Sequence, residues 1–281
     1  MTIPTSIWLA TASMVLFGLA DFAIKRAADM AVRPHHAIMV QAWFFSSSVV
    51  IYALLTGTLV LAPAALWGAA AGLFMLIGFT SFMRSLIGES VSIQAPVFRL
   101  NFIVTASLAF LLLGETLTAN KAVALMLALV AVWLLLGGSH TAMISRRALG
   151  QVLLATLMLG IGNVIYKIGL RQGAVPETLV VTQALVFVTL ATVQVLVIDR
   201  RIAPPAAAFR YPPLAAVLMV AAFVLLVRGL STGEASVVVP ISQMGFVVTA
   251  VLGVGLLGEH LTLRKAGGLL AAVLSLAAFA L

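Results

Sequence analysis

The chain has no cysteine, few acids and few charges of either sign, and each scarcity closes off a class of explanation. Without cysteine there can be neither disulfides nor thiolate metal sites. Charged residues make up 9% of the 281 positions, where a water-soluble domain carries about a quarter. Nor can one soluble core of this size hide a composition that is 63% hydrophobic. With a mean hydropathy of +1.21, the medium that solvates the chain must itself be apolar. No GxxxxGK[ST] loop occurs, so the chain does not power itself with ATP, and neither HExxH nor paired catalytic groups at reactive spacing occur. Neither an enzyme, a cofactor nor a metal site is therefore expected. The net charge of +8 does not read as nucleic-acid binding. Its Lys and Arg residues punctuate apolar runs instead of clustering on a face with interleaved aromatics.

A membrane span needs about 20 mainly apolar residues. Such runs fall at 6–24, 36–57, 64–83, 91–113, 120–138, 148–170, 176–198, 211–229, 235–257 and 264–281. The fold expected is all-α, with ten transmembrane helices. Met1 to Pro4 carry no basic segment and no small-residue cleavage site follows, so residues 6–24 read as a first span and not as a removed signal. The connections are too short for a soluble domain.

An internal repeat organises the ten spans. Residues 84–136, shifted by 144 positions, lie on 228–280 without a gap, and 19 of the 53 positions are identical. Arg84 meets Arg228, Pro96 meets Pro240, Phe102 meets Phe246, and Gly114-Glu115 meets Gly258-Glu259. Earlier in the halves the shift is 142, setting Gly18 on Gly160, Asp21 on Asn163, Lys25 on Lys167 and Gln41 on Gln183. The halves are taken as 1–140 and 146–281. Five spans per half is an odd number, so the second half enters the bilayer from the opposite side. Charge supports this. Connections 1–2, 3–4, 5–6, 7–8 and 9–10 hold eleven basic residues, among them Arg33, Arg84, Arg200 and Arg201. The side that carries the termini holds four: Lys121, Lys167, Arg171 and Arg228. By the positive-inside rule the termini lie outside the cytoplasm, and the chain is a multi-pass protein of the cell (inner) membrane.

Two five-helix halves, each with Gly-Glu-x-Leu-Thr before its last helix, resemble the drug/metabolite transporter superfamily. Within it, the ten-helix EamA-type permeases, which include amino-acid and metabolite exporters, are similar over the whole chain. Lys25 and Lys167, and Pro96 and Pro240, belong to the same resemblance. Ten-helix members are usually described with both termini in the cytoplasm, opposite to the charge count here. The resemblance implies a central cavity enclosed by spans 1, 3, 4, 6, 8 and 9, with spans 5 and 10 outside and available for a homodimer contact. It also implies alternating access by rocking of the two halves.

Polar groups in spans are costly and usually face inward, so each is a site candidate. Arg99 would receive a substrate carboxylate or phosphate, or be neutralised by Asp21 or Glu89. Asp21 is either a proton-coupling group or a static partner of Arg99. Gln243 is the repeat partner of Arg99, which makes charge recognition asymmetric. Gln94, Asn101, Asn163 and Tyr166 would hydrogen-bond a polar solute or a neighbouring helix; Trp43 and Phe98 would stack on its apolar part or simply pack. Pro96 and Pro240 are read as hinges. The partners implied are a small-molecule substrate and membrane lipid. The function expected is a secondary transporter, an exporter of small polar or amphipathic metabolites such as amino acids. The alternative is a flippase for a lipid-linked sugar or other amphiphile, with Arg99 on phosphate. A scaffold without transport would have a dry, tightly packed centre.

Overall fold

The computed structural model describes residues 3–28, 32–85, 91–136, 145–257 and 260–281. These form α1 (Thr5–Ala28), α2 (Pro34–Leu55), α3 (Leu66–Ser85), α4 (Val91–Arg99), α5 (Asn101–Leu112) and α6 (Ala119–Leu136) in the first half. The second half has α7 (Arg146–Arg171), α8 (Pro176–Asp199), α9 (Pro212–Thr232), α10 (Ala235–Gln243), α11 (Gly245–Leu257) and α12 (Leu263–Ala280). Among the described residues there is no strand, as a bilayer demands of a chain whose backbone must satisfy itself within each span. Nine of the spans are long and apolar enough to cross on their own, and Ala119–Leu135 is a shorter tenth. Glu89 and Glu259 fall outside the described residues.

Local chemistry marks the ends. Pro34, Pro176 and Pro212 stand at the first helical positions of α2, α8 and α9, where no N–H is missed. Ser145 and Thr262 accept from Ala148 N and Lys265 N to cap α7 and α12. Gly57, Gly114 and Gly173, at φ 66°, 65° and 86°, turn the chain out of α2, α5 and α7.

Spans 4 and 9 are not single helices. Each breaks once, at Leu100 and at Met244, positions that match across the repeat. The breaks lie four residues beyond Pro96 and Pro240, which sit inside α4 and α10. At each break the bonding tightens by one residue: Leu100 N donates to Val97 O and Met244 N to Ile241 O. The proline withholds its N–H from the ladder within its own helix, and the irregular turn follows one turn later.

The main contacts between the halves come in repeat-related pairs, and two elements meet their own repeat mates. α1 lies along α9 as α3 lies along α7; α1 meets α10 and α11 as α7 meets α4 and α5; α2 faces α8, and α6 faces α12 at the periphery. The detail is reciprocal. Thr249 Oγ1 donates to Gly18 O at 3.0 Å, and its repeat mate Thr105 donates to Gly160 O at 3.3 Å. Hence the halves are inverted copies related by a two-fold axis. At these crossings backbones nearly touch. A methyl at Gly18 would sit 2.5 Å from Gly245 O and 2.5 Å from Val248 Cβ, and one at Gly160 would sit 2.5 Å from Val104 Cγ1. Gly18→Ala should therefore force the helices apart and cost about 1–3 kcal/mol, as overpacking does. A clear drop in the thermal unfolding temperature in detergent checks it, with exposed Gly150→Ala, whose methyl meets nothing within 4 Å, as the neutral control.

The termini side is tied across the halves. Buried Glu115 accepts from Ala235 N at 2.7 Å and Ser236 N at 2.9 Å, capping α10 with a charge suited to a helix N-terminus. Lys121 pairs with Glu234, and Arg171 Nη1 donates to Leu113 O at 2.7 Å. Lys167 Nζ donates to Leu230 O at 2.6 Å and Gly233 O at 2.8 Å, closing the end of α9. Glu115 and Lys121, six residues apart, do not pair with each other but reach across the halves, and Lys167 ends on the carbonyls that close α9.

Candidate functional site

α1, α3, α4, α7, α9 and α10 converge on a small cavity of about 70 Å³. Its walls follow the repeat. Asp21 and Asn163, Arg99 and Gln243, Met75 and Met219, Phe79 and Phe223, and Phe17 and Leu159 all line it, and each pair is one position seen in both halves. Phe98 joins them from α4. The cavity thus straddles the two-fold axis between the halves.

Within it the first half supplies charge and the second supplies neutral amides of similar shape. Arg99 Nη2 donates to Asp21 Oδ2 in an ion pair whose side chains keep 19% and 25% of their exposure. Partial access matters, because a fully buried pair would be fixed by the cost of separating it in a low dielectric. Asp21 lies about two turns from the end of α1 and Arg99 at the end of α4, so this charged pole leans toward the basic side. Asn163 and Gln243 are correspondingly nearer the termini side.

Aromatic rings flank the polar floor. Phe17 meets Phe223 edge to face at 5.1 Å between centroids, and Phe223 meets Phe45 at 5.7 Å. Across the cavity Phe98 stacks on Phe82 at 4.1 Å and meets Phe79 at 6.0 Å. Two lining methionines are held from behind by repeat-related amides: Gln41 Nε2 reaches Met219 Sδ at 2.7 Å and Gln183 Nε2 reaches Met75 Sδ at 3.5 Å. Each bond crosses between halves, so Gln41 and Gln183 bridge them, each through a methionine.

Of the residues singled out from sequence, the structure brings Asp21, Arg99, Asn163, Gln243 and Phe98 to the cavity. Trp43 lies outside it, its indole N–H donating to Thr192 Oγ1 at 3.0 Å on α8. Tyr166 is fully buried behind Met75, and its hydroxyl donates to Gln183 Oε1. Asn101 donates to Phe98 O at 2.9 Å next to the break in span 4. Gln94, one turn before Phe98, is buried with both amide atoms lacking hydrogen-bond partners. Pro96 and Pro240 do not line the cavity; the breaks that follow them place Arg99 and Gln243 there. Sequence reasoning missed Met75, Met219, Phe79 and Phe223, although the 144-residue shift already set Met on Met and Phe on Phe.

A model of the EamA-like transporter family matches residues 4–137 and again 146–281. A solved crystal structure superposes with a TM-score of 0.81 at 15% identity, covering 99% of this chain and 98% of its own, a likeness of fold. No curated protein matches the sequence.

Proposed function

The chain belongs to the EamA-like transporter family, a branch of the drug/metabolite transporters, and from that premise we propose that it carries small zwitterionic or amphipathic metabolites, such as amino acids, out of the cell. The observation that carries this reading is the partly accessible Asp21–Arg99 pair in a cavity on the axis between inverted halves. A carboxylate presented to Arg99 replaces one charge-assisted bond with another, and an ammonium does the same at Asp21. The pair therefore opens for a solute with both charges at little net cost, while a neutral solute has nothing to exchange. Phe17, Phe223, Phe79 and Phe98 provide apolar walls for its remainder. Rocking of the halves about the cavity would expose it to each side in turn, as inverted repeats allow.

Export fits the polarity. If the basic side faces the cytoplasm, a cytoplasmic solute meets the charged pole first and the amide pole second. Spans 5 and 10, outside the cavity ring, remain the surface for a homodimer. The alternative, a flippase for a lipid-linked sugar, requires a lateral opening to lipid and room for a headgroup. A cavity of about 70 Å³ walled by six helices favours a soluble solute. The test is counterflow of radiolabelled amino acids in liposomes holding the purified protein. Saturable exchange of at least one zwitterion supports the reading. Folded protein that exchanges none, or that moves only a fluorescent glycolipid between leaflets, refutes it.

A further inference from the structure

His35 and His36 open α2 in the first half, and Asp199 ends α8 in the second; 163 or more positions separate them, and the fold brings them together on the basic side. Both imidazole Nε2 atoms converge on one oxygen: His35 Nε2 lies 2.9 Å and His36 Nε2 2.7 Å from Asp199 Oδ2. Oδ2 has lone pairs enough for both, yet only His35 meets it along a bonding direction. His36 Nε2 is buried and has no hydrogen bond of acceptable direction. The other oxygen, Oδ1, is taken by Arg33 Nη1 at 2.9 Å, which fixes the carboxylate's orientation. One ligand atom from each residue lies within 4.8 Å of the other two, and the three side chains keep 17%, 11% and 13% of their exposure.

We propose that His35, His36 and Asp199 bind a divalent transition-metal ion of the zinc class, with solvent as its remaining ligand. Two imidazoles and a carboxylate are a donor set such ions favour, and an outer-shell partner holding the free carboxylate oxygen is the usual companion of such a set. A dication satisfies all three converging atoms at once and gives His36 Nε2 the partner it lacks. The imidazoles bind neutral, His35 carrying its proton on Nδ1 instead of Nε2. Arg33 and Arg201 line the adjoining recess; their charge weakens the ion's hold without occupying its ligands. Bound, the ion fastens the start of α2 to the end of α8 and so joins the two halves on this face.

The test is calorimetric titration of ZnCl2 into the purified full chain carrying no histidine tag. One ion per chain is expected, with the visible absorption of tetrahedral cobalt when CoCl2 replaces it. His36→Gln and Asp199→Asn should each weaken binding by at least about tenfold, while His260→Gln, exposed and not among the clustered ligands, leaves it unchanged. No uptake, or equal uptake in the ligand variants and the parent, overturns the proposal. Should the variants fold poorly, protection of the adjacent histidines from diethylpyrocarbonate by ZnCl2 in the unaltered chain decides the matter: slower modification supports the site, and unchanged modification overturns it.

Discussion

In Arg99→Gln, exchange of a zwitterionic solute should fall by at least about 100-fold, near 2.7 kcal/mol of lost stabilisation, while the protein still inserts and elutes as a single species. Glutamine is what the second half already carries at this position, in Gln243, so the substitution introduces no foreign shape. It removes the only cation lining the cavity among the described residues and leaves Asp21 without its partner. The solute's carboxylate then finds no cation in the cavity, and Asp21 is left with no partner to exchange for the ammonium. Arg99→Lys keeps the charge but loses the planar fork, and a loss of about tenfold is expected. The double variant Asp21→Asn with Arg99→Gln makes the first half copy the second. It should be as stable as the parent, because no charge remains to be buried alone, and as inactive on zwitterions as Arg99→Gln. Counterflow in liposomes measures all three, and undiminished exchange by Arg99→Gln would reduce the pair to a packing element.

The second large effect is expected from Glu115 and Lys121, which touch nothing in the cavity. Glu115 holds two N–H groups at the start of α10, and Lys121 holds Glu234 one residue before it. Both ties join the end of span 4 to the start of span 9, across the halves on the termini side. Glu115→Ala orphans two buried donors, at a cost on the order of 2 kcal/mol to the tied state. That energy shifts the balance between tied and untied forms by about 30-fold. The chain's lack of cysteine makes the readout clean, since a thiol placed at Met75, midway along α3, is its sole reporter. Membrane-impermeant maleimide applied from the termini side should label that thiol far faster in Glu115→Ala, and faster again when Lys121→Ala is added. Equal rates in all backgrounds would mean that the ties do not govern access.

The fold was legible because bilayer spans and tandem repeats both leave plain marks in sequence: length and apolarity give the ten crossings, and an odd number of spans per half forces inversion. The cavity was legible only in part. Asp21, Arg99, Asn163 and Gln243 stood out as costly polar groups, and all four line it. Gln94, Asn101 and Tyr166 stood out for the same reason and Trp43 for its ring, but Trp43 and Tyr166 bond to α8, Asn101 to its own span, and Gln94 is buried outside the cavity. The helices are apolar all round, so no stripe fixes their rotation, and a polar residue alone does not say which neighbour it meets. Met75 and Phe79 were invisible as apolar residues among apolar residues; their identity with Met219 and Phe223 was the signal, and it lay just upstream of the gapless block. The meeting of His35 and His36 with Asp199 has no periodicity to betray it, since it depends on how two distant spans end on the same face.

The paired crossings at Gly18 and Gly160 give the molecule a fulcrum. Each crossing sets a glycine too close to a neighbouring helix to admit even a methyl, pinned by a threonine hydroxyl. Two bundles swinging about the line through both pins would part on one face of the bilayer only as far as they converge on the other. A passage open at both ends, through which ions would leak, would then demand that a pin be torn out and not merely turned.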